Sequence, residues 1–346
     1  MTKAPNITTP PKKRKIWLWF LGCFGILIFL GSVTLNIFLF FAIFSKNVGT
    51  TINTPAKNEP KLQEIIVTGR KEAREKIAQI YIEGPILYQE DSWQSLTERN
   101  GGADFIVKQI HQAKTDSKIK AIILNIKSPG GSITASDEIY QEIASARTTG
   151  KKVIAFLNET AASGGYYIAL PTDKIIASPT TLTGSIGVIA QTFNIEELLA
   201  RYGVKIETIK SGKYKDILSS YREMTPEERE LLQNILDEYY KQFVNLTKKH
   251  RPDIDLEKLE EITDGRVFTA RQAKELKLID ELGYENDAIN LAAKLSKIRE
   301  KTVIKYKQPF SWESFFSQAS LNFSQNAMIK NLMEMATFSQ RKILYR

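Results

Sequence analysis

Two kinds of side chain are scarce in this chain of 346 residues: it has one cysteine, Cys23, and two histidines, His111 and His250. A single cysteine forbids an internal disulfide and a multi-cysteine metal site. Two histidines do not suit a histidine-rich metal centre; no metal or other cofactor is expected. Positive charge is also missing from where a nucleic-acid groove would need it. The net charge is +9, but residues 1–15 carry five Lys/Arg and no acid, and residues 301–346 carry seven basic against two acidic residues. Residues 16–300 are left at −1. The central body therefore lacks the field that a polyanion requires, and no nucleic-acid partner is expected. No glycine turn fits the G-x-G-x-x-G or P-loop spacing, which removes the usual nucleotide signatures.

Charge is absent altogether from Ile16 to Phe44, a run of 29 residues bounded by Lys12-Lys13-Arg14-Lys15 and by Lys46. About 20 such residues suffice to cross a bilayer. The run is long for a cleaved signal peptide, and bulky Ile43 and Phe44 do not suit a small-residue cleavage site. Residues 16–44 are thus expected to be a transmembrane helix in contact with lipid, after a basic cytoplasmic segment at 1–15. The basic cluster before the span puts the N-terminus in the cytoplasm and the body on the far side of the membrane. Residues 45–75, rich in Thr, Asn, Lys and Pro, read as a linker.

Beyond it, short β-branched runs bounded by turn residues predict strands at Ile77–Ile82, Ala121–Ile126, Val153–Leu157, Lys174–Ala177 and Val204–Ile209. Helices are expected between them, at about 104–115, 134–147, 163–170 and 194–202, the last with Asn194 and Glu197 at capping-box spacing. Thr225-Pro226-Glu227-Glu228 signals a helix running to about His250. Further helices are expected from Thr269 to near Leu276 and from Glu285 to Leu295. Strand and helix in alternation mean an α/β fold with a mainly parallel sheet. In residues 299–346, Trp312, Phe315, Phe316, Ala319 and Phe323 repeat with helical spacing. This amphipathic tail either packs on the body or a neighbouring subunit, or lies on a membrane surface.

Three glycine turns follow predicted strands: Ser128-Pro129-Gly130-Gly131, Ala161-Ala162-Ser163-Gly164-Gly165-Tyr166 and Thr183-Gly184-Ser185-Ile186-Gly187. In parallel sheets such turns gather at the ligand-binding ends of the strands. A serine among small residues at a sharp turn into a helix suits a nucleophile, with the next backbone N–H facing an oxyanion. The same glycines would also serve merely to permit tight turns. Serine needs a base, yet neither histidine is near a glycine turn in sequence. Lysine can replace histidine if burial brings its pKa from about 10.4 to about 7–8, a differential solvation of roughly 4 kcal/mol. Ser211-Gly212-Lys213-Tyr214-Lys215-Asp216 is the natural source, and spacing alone does not choose between its two lysines.

Ser-Pro-Gly-Gly at 128–131, Ala-Ala-Ser-Gly-Gly-Tyr-Tyr at 161–167, Leu-Thr-Gly-Ser-Ile-Gly-Val at 182–188 and Lys-Ser-Gly-x-x-Lys-Asp at 210–216 together resemble the signal peptide peptidase A family. The resemblance continues through Arg-Glu-Met-Thr at 222–225 and Asp-Gly-Arg-Val-Phe-Thr-Ala-Arg-Gln-Ala at 264–273. It implies a Clp protease/crotonase-like fold of repeated β-β-α units over residues 76–298, in a bacterial Ser-Lys serine peptidase. It matches Ser163 to the nucleophile, Lys215 to the general base and Ser185 to the hydroxyl that orients the lysine. Gly131 together with Gly130 matches one backbone oxyanion donor, and Gly164 the second. The length resembles the short, ring-forming members, so a homo-oligomer is implied, acting on signal-peptide remnants at the outer face of the cytoplasmic membrane. The alternatives are a crotonase-type acyl-CoA enzyme, for which Glu159 is the nearest carboxylate, and a catalytically silent membrane scaffold.

Overall fold

The computed structural model describes residues 24–37, 39, 61–88 and 102–308. The chain divides into two units, Met1–Glu59 and Pro60–Arg346. In the first, residues 24–37 form a helix, α1, whose side chains are exposed and apolar over most of its length. The rest of the expected span at 16–44, apart from residue 39, lies outside the described residues, as does the basic segment at 1–15. Among the described residues no helix is long and apolar enough to cross a membrane.

The second unit is built on a nine-stranded sheet, with strands β1 (Gln63–Thr68), β2 (Lys76–Glu83), β3 (Ile119–Ser128), β4 (Lys152–Ala162), β5 (Lys174–Ala177), β6 (Leu182–Gly184), β7 (Val267–Thr269), β8 (Glu281–Leu282) and β9 (Val303–Lys307). Their order is β1-β9-β2-β3-β4-β5-β8, with β6 paired to β4 and β7 to β6. Only β1–β9 and β6–β7 are antiparallel. The α/β class and the mainly parallel sheet are as the sequence implies.

Alternation along the central strands explains the layering. One set of residues, including Ile80, Ile82, Ile122, Leu124, Ile126, Val153, Ala155 and Leu157, joins the core that also contains residues of α2 (Ala103–Thr115) and α3 (Ile133–Thr148). The opposite set, including Ile77, Ile123, Ile154, Phe156 and Ile176, packs with Ala288, Ala292 and Ala293 of α9 (Glu285–Ser296). A strand buried on both faces reads as a continuous apolar run, which is why β2, β3 and β4 were plain in the sequence. Each fully buried Ile or Leu contributes roughly 1.5–3 kcal/mol of transfer free energy.

The strand β4 splits the sheet. Residues 154–157 pair with β5 and residues 160–162 with β6, and between them Glu159 takes a positive φ of 52°. The bend turns the end of β4 away from β5 and delivers Ser163 to the start of α4 (Gly164–Tyr167).

Several expectations need correction. Residues 204–209 form no strand; Val204, Ile206 and Ile209 are exposed, with no neighbouring strand to complete a ladder. The helix expected at 194–202 is the shorter α5 (Glu196–Arg201), capped without a box; Asn194 Oδ1 accepts from the Glu196 N–H at 2.9 Å. The helix expected at 163–170 is the single turn α4. At the ends, β1 lies inside the stretch read as linker, and β9 inside the stretch read as tail. The remainder of that tail, 309–346, is outside the described residues. By contrast, α6 (Pro226–His250) and α8 (Ala270–Glu275) start at complete capping boxes on Thr225 and Thr269.

Neither histidine belongs to a cluster of ligands. His111 is exposed and contacts Glu142 Oε1 at 3.1 Å. His250, at the end of α6, lies 2.7 Å from the Tyr140 hydroxyl, with the rings edge to face. Burial first, then Lys249 and Arg147, lower the pKa of His250 from its ordinary 6.5. The unfolded chain therefore binds this proton more readily than the folded one. The corresponding stability is present above pH about 6.5 and lost as pH falls through the lowered folded value. Thermal denaturation between pH 5 and 7.5 should show a smaller loss of stability on acidification in His250→Gln than in the parent. An unchanged slope would contradict this account.

Candidate active site

The end of β4 and the turns after β3 and β6 meet at Ser163. Its φ is 53° and its ψ −122°, a conformation that side-chain-bearing residues rarely adopt. The position is fixed from both sides. The Ser163 N–H donates to Gly184 O at 2.8 Å, and the Ser163 carbonyl accepts from the N–H groups of Tyr166 and Tyr167, both at 2.9 Å. Glycine is needed around it for close approach. A Cβ on Gly130, whose φ is 98°, would sit 2.6 Å from Gly164 N and 3.0 Å from Ser163 Cβ. One on Gly165 would meet Ser128 O at 2.5 Å.

A cleft of about 360 Å³ opens over this elbow, and Ser163, Gly131, Gly164 and Ser185 all line it. Among the described residues, the hydroxyls of Ser163 and Ser185 have no hydrogen-bond partner, and the N–H groups of Gly131 and Gly164 donate to none. These are the groups a nucleophile and an oxyanion hole would present. Gly130 differs: its N–H donates to Ser128 Oγ at 3.1 Å, so what it contributes here is the absence of a side chain. Ser185, with a φ of 51°, is held through its N–H on Arg266 O at 2.8 Å.

The structure does not bring Lys215 to this cleft. Lys215 is exposed, and neither it nor Lys213 is among the lining residues. Lys213 extends over the Tyr214 ring, 5.1 Å from its centroid. Glu159, the carboxylate an acyl-CoA reading would use, also lies outside the cleft, exposed and paired with Lys127 at 2.8 Å.

Sequence reasoning missed the wall of the cleft, which includes Ile133, Tyr167, Tyr239, Gln242 and Phe243. Tyr167 donates to Asp137 Oδ1 at 2.6 Å, accepts from Gln242 at 3.1 Å and packs edge-on against Phe243. Burial, with Asp137 in support, pushes its phenol pKa well above the ordinary value, so the ring stays neutral. Tyr167 lies within the recognised Ala-Ala-Ser-Gly-Gly-Tyr-Tyr motif, but α6 starts only at Pro226 and carries no local signal for the cleft. At the rim, hydrogen bonds from Arg266 hold the Asp264 carboxyl below its usual range. Ser136 was also missed: its hydroxyl is buried beside Gly164 with no hydrogen-bond partner among the described residues.

Comparison with known proteins gives the chain a family. Residues 145–299 match the family described as peptidase family S49, and residues 86–182 match the Clp protease family. A protein of Synechocystis sp. with a provisional protease name is 41% identical over 223 residues, 64% of this chain and 75% of that relative. A provisionally named signal peptide peptidase SppA of Enterococcus faecium is 36% identical over 235 residues, 68% of each chain. Protease 4 of Salmonella typhi is 38% identical over 224 residues, 65% of this chain and 35% of that protein.

The contact between Gly164 and Ser136 yields a direct test. A Cβ on Gly164 would lie 2.6 Å from Ser136 Oγ, with Gly130 Cα next at 3.1 Å. Gly164→Ala should cost about 1–3 kcal/mol in denaturant unfolding through overpacking. Adding Ser136→Ala should return part of that loss, because it removes the nearest clashing atom and an unpaired buried hydroxyl. Strict additivity of the two substitutions would refute the contact.

Proposed function

The chain belongs to peptidase family S49 and is a serine-type protease, and from that premise we propose that it is a membrane-anchored endopeptidase using Ser163 and Lys215 to degrade signal-peptide remnants. The observation that carries the reading is the elbow. It sets Ser163 in a cleft beside two undonated backbone N–H groups. In this reading the Ser163 hydroxyl attacks a peptide carbonyl while the neutral Lys215 amine takes its proton. The oxyanion accepts from the N–H groups of Gly131 and Gly164. Lysine then returns the proton to the departing amine, and water, activated by the same lysine, releases the acyl group. Ser185 orients the amine.

Lys215 is exposed in its own chain. The reading therefore has a neighbouring copy present its Lys215 to this cleft, in the homo-oligomeric ring that the family resemblance implies. The exposed side chains of Ile189, Phe193, Tyr202 and Ile209 support such an assembly, since isolated molecules rarely expose so much apolar surface in one segment. The apolar and aromatic side chains in the cleft wall, Ile133, Val188, Ile189, Tyr239 and Phe243, suit hydrophobic stretches of signal peptides, and the Enterococcus relative is named for that substrate. The uncharged run at 16–44, the exposed apolar helix α1 and the basic residues before it support an anchor in the cytoplasmic membrane with the catalytic body outside.

The test uses the full chain in detergent with a signal-sequence peptide. Ser163→Ala and Lys215→Ala should each lose about 10³-fold or more in kcat, and the double variant should lose no more than either, because the two act as a unit. Ser185→Ala should fall between these and the parent, and Lys213→Ala should keep most activity. Co-assembling Ser163→Ala with Lys215→Ala should restore measurable cleavage if each site draws on two copies. Full activity in Lys215→Ala would end the dyad. Cleavage that never returns on mixing, while both variants form mixed rings, would end the shared site.

A further inference from the structure

Lys215 sits on a segment with little else to hold it. Residues 203–215 are all exposed, and no strand pairs with them. Besides local backbone bonds such as Lys215 N–H to Gly212 O at 3.2 Å, one guanidinium ties the turn to α6. Arg222 donates to Asp216, the residue after the proposed base, through Nε to Oδ2 and Nη2 to Oδ1, both at 2.9 Å, and through Nη2 to the Asp216 carbonyl at 3.3 Å. On its other side it grips Glu228 with Nη1 at 2.8 Å and Nη2 at 2.5 Å. Glu228 is buried in the first turn of α6 and closes the capping box there, accepting from the Thr225 N–H at 3.0 Å. Lys210 completes the frame by donating to Asp216 Oδ1 and to the Lys213 carbonyl. The link therefore runs from the rigid start of α6 through Glu228, Arg222 and Asp216 to the backbone of Lys215.

We infer that Arg222 is a positioning residue for catalysis, a two-sided clamp that sets where the Lys215 amine is presented. The inference rests on the reading of Lys215 as the base. Only arginine offers the planar fork that can serve two carboxylates at once; a lysine ammonium is a point donor and would satisfy one. Hydrogen bonds from Arg222 hold Glu228 down to about 2 and Asp216 below the usual carboxylate range, so the clamp stays charged at working pH. A clamp of this kind acts on the turnover step. It does not touch the cleft wall that binds substrate, so kcat and KM should separate.

The experiment measures kcat and KM of the full chain in detergent on a signal-sequence peptide, alongside thermal stability and oligomer mass. Arg222→Ala should lower kcat about 30- to 100-fold, the scale of a small misplacement of a reacting group, with KM within about twofold. Arg222→Lys should fall between the two. Millimolar guanidinium chloride should return part of the lost kcat in Arg222→Ala and none in the parent. A merely structural arginine would lower stability without separating kcat from KM, and that result overturns the inference. If Arg222→Ala does not fold, Asp216→Asn, which keeps the shape and loses the charge, decides; unchanged kcat there also overturns it. Activity retained in Lys215→Ala identifies failure of the dyad reading. A dead Lys215→Ala beside a fully active Arg222→Ala identifies failure of this inference alone.

Discussion

The positive φ of Ser163 is the constraint around which the rest of the cleft is organised. A non-glycine residue held there costs on the order of 1–3 kcal/mol, so the surroundings must over-determine it. They do so through the bend at Glu159, which redirects β4 onto β6, and through the bond from Ser163 N–H to Gly184 O. Gly130, Gly164 and Gly165 then let the turn after β3 close against the elbow that carries Ser163. Gly131 and Gly164 line the same cleft, and among the described residues neither N–H has an acceptor. One local strain thus accounts for a Ser163 side chain that lines the cleft and for the glycines packed against it.

A second feature is the exposed arm that carries Lys215. From Ile189 to Tyr221 the chain departs from the sheet and exposes large apolar side chains, and within that stretch lies Lys215. A lysine base must be shielded from water to be neutral, and an exposed segment cannot shield it. The proposed ring answers both needs at once, by covering the apolar arm and enclosing the amine. The clamp of Arg222 between Asp216 and Glu228 fits this picture, because a segment that meets its partner outside its own core must carry its geometry with it.

How much of this was legible in the sequence follows from burial and distance along the chain. The strands β2, β3 and β4 were readable because both of their faces are buried. Thr225 and Thr269 announced their helices because capping is local. The strands β1 and β9 were absorbed into linker and tail, since their pairing with each other joins segments more than 230 residues apart. The run at 204–209 reads as a strand because β-branched composition signals burial, which here finds no partner strand among the described residues. The glycine turns marked Ser163, Gly131, Gly164 and Ser185 together, and the structure gathers all four. The separation of Lys215 from them, the aromatic wall from α6 and the unpaired Ser136 had no local signature.

The claim at the centre of the account is that Ser163 is the reactive hydroxyl. It is tested most directly by treating the full chain in detergent with a fluorophosphonate, then taking the intact mass and mapping the modified peptide. One adduct per chain, on Ser163 and missing from Ser163→Ala, is the expected result. An unmodified Ser163 in protein that cleaves peptides, or an adduct on another residue, would contradict it.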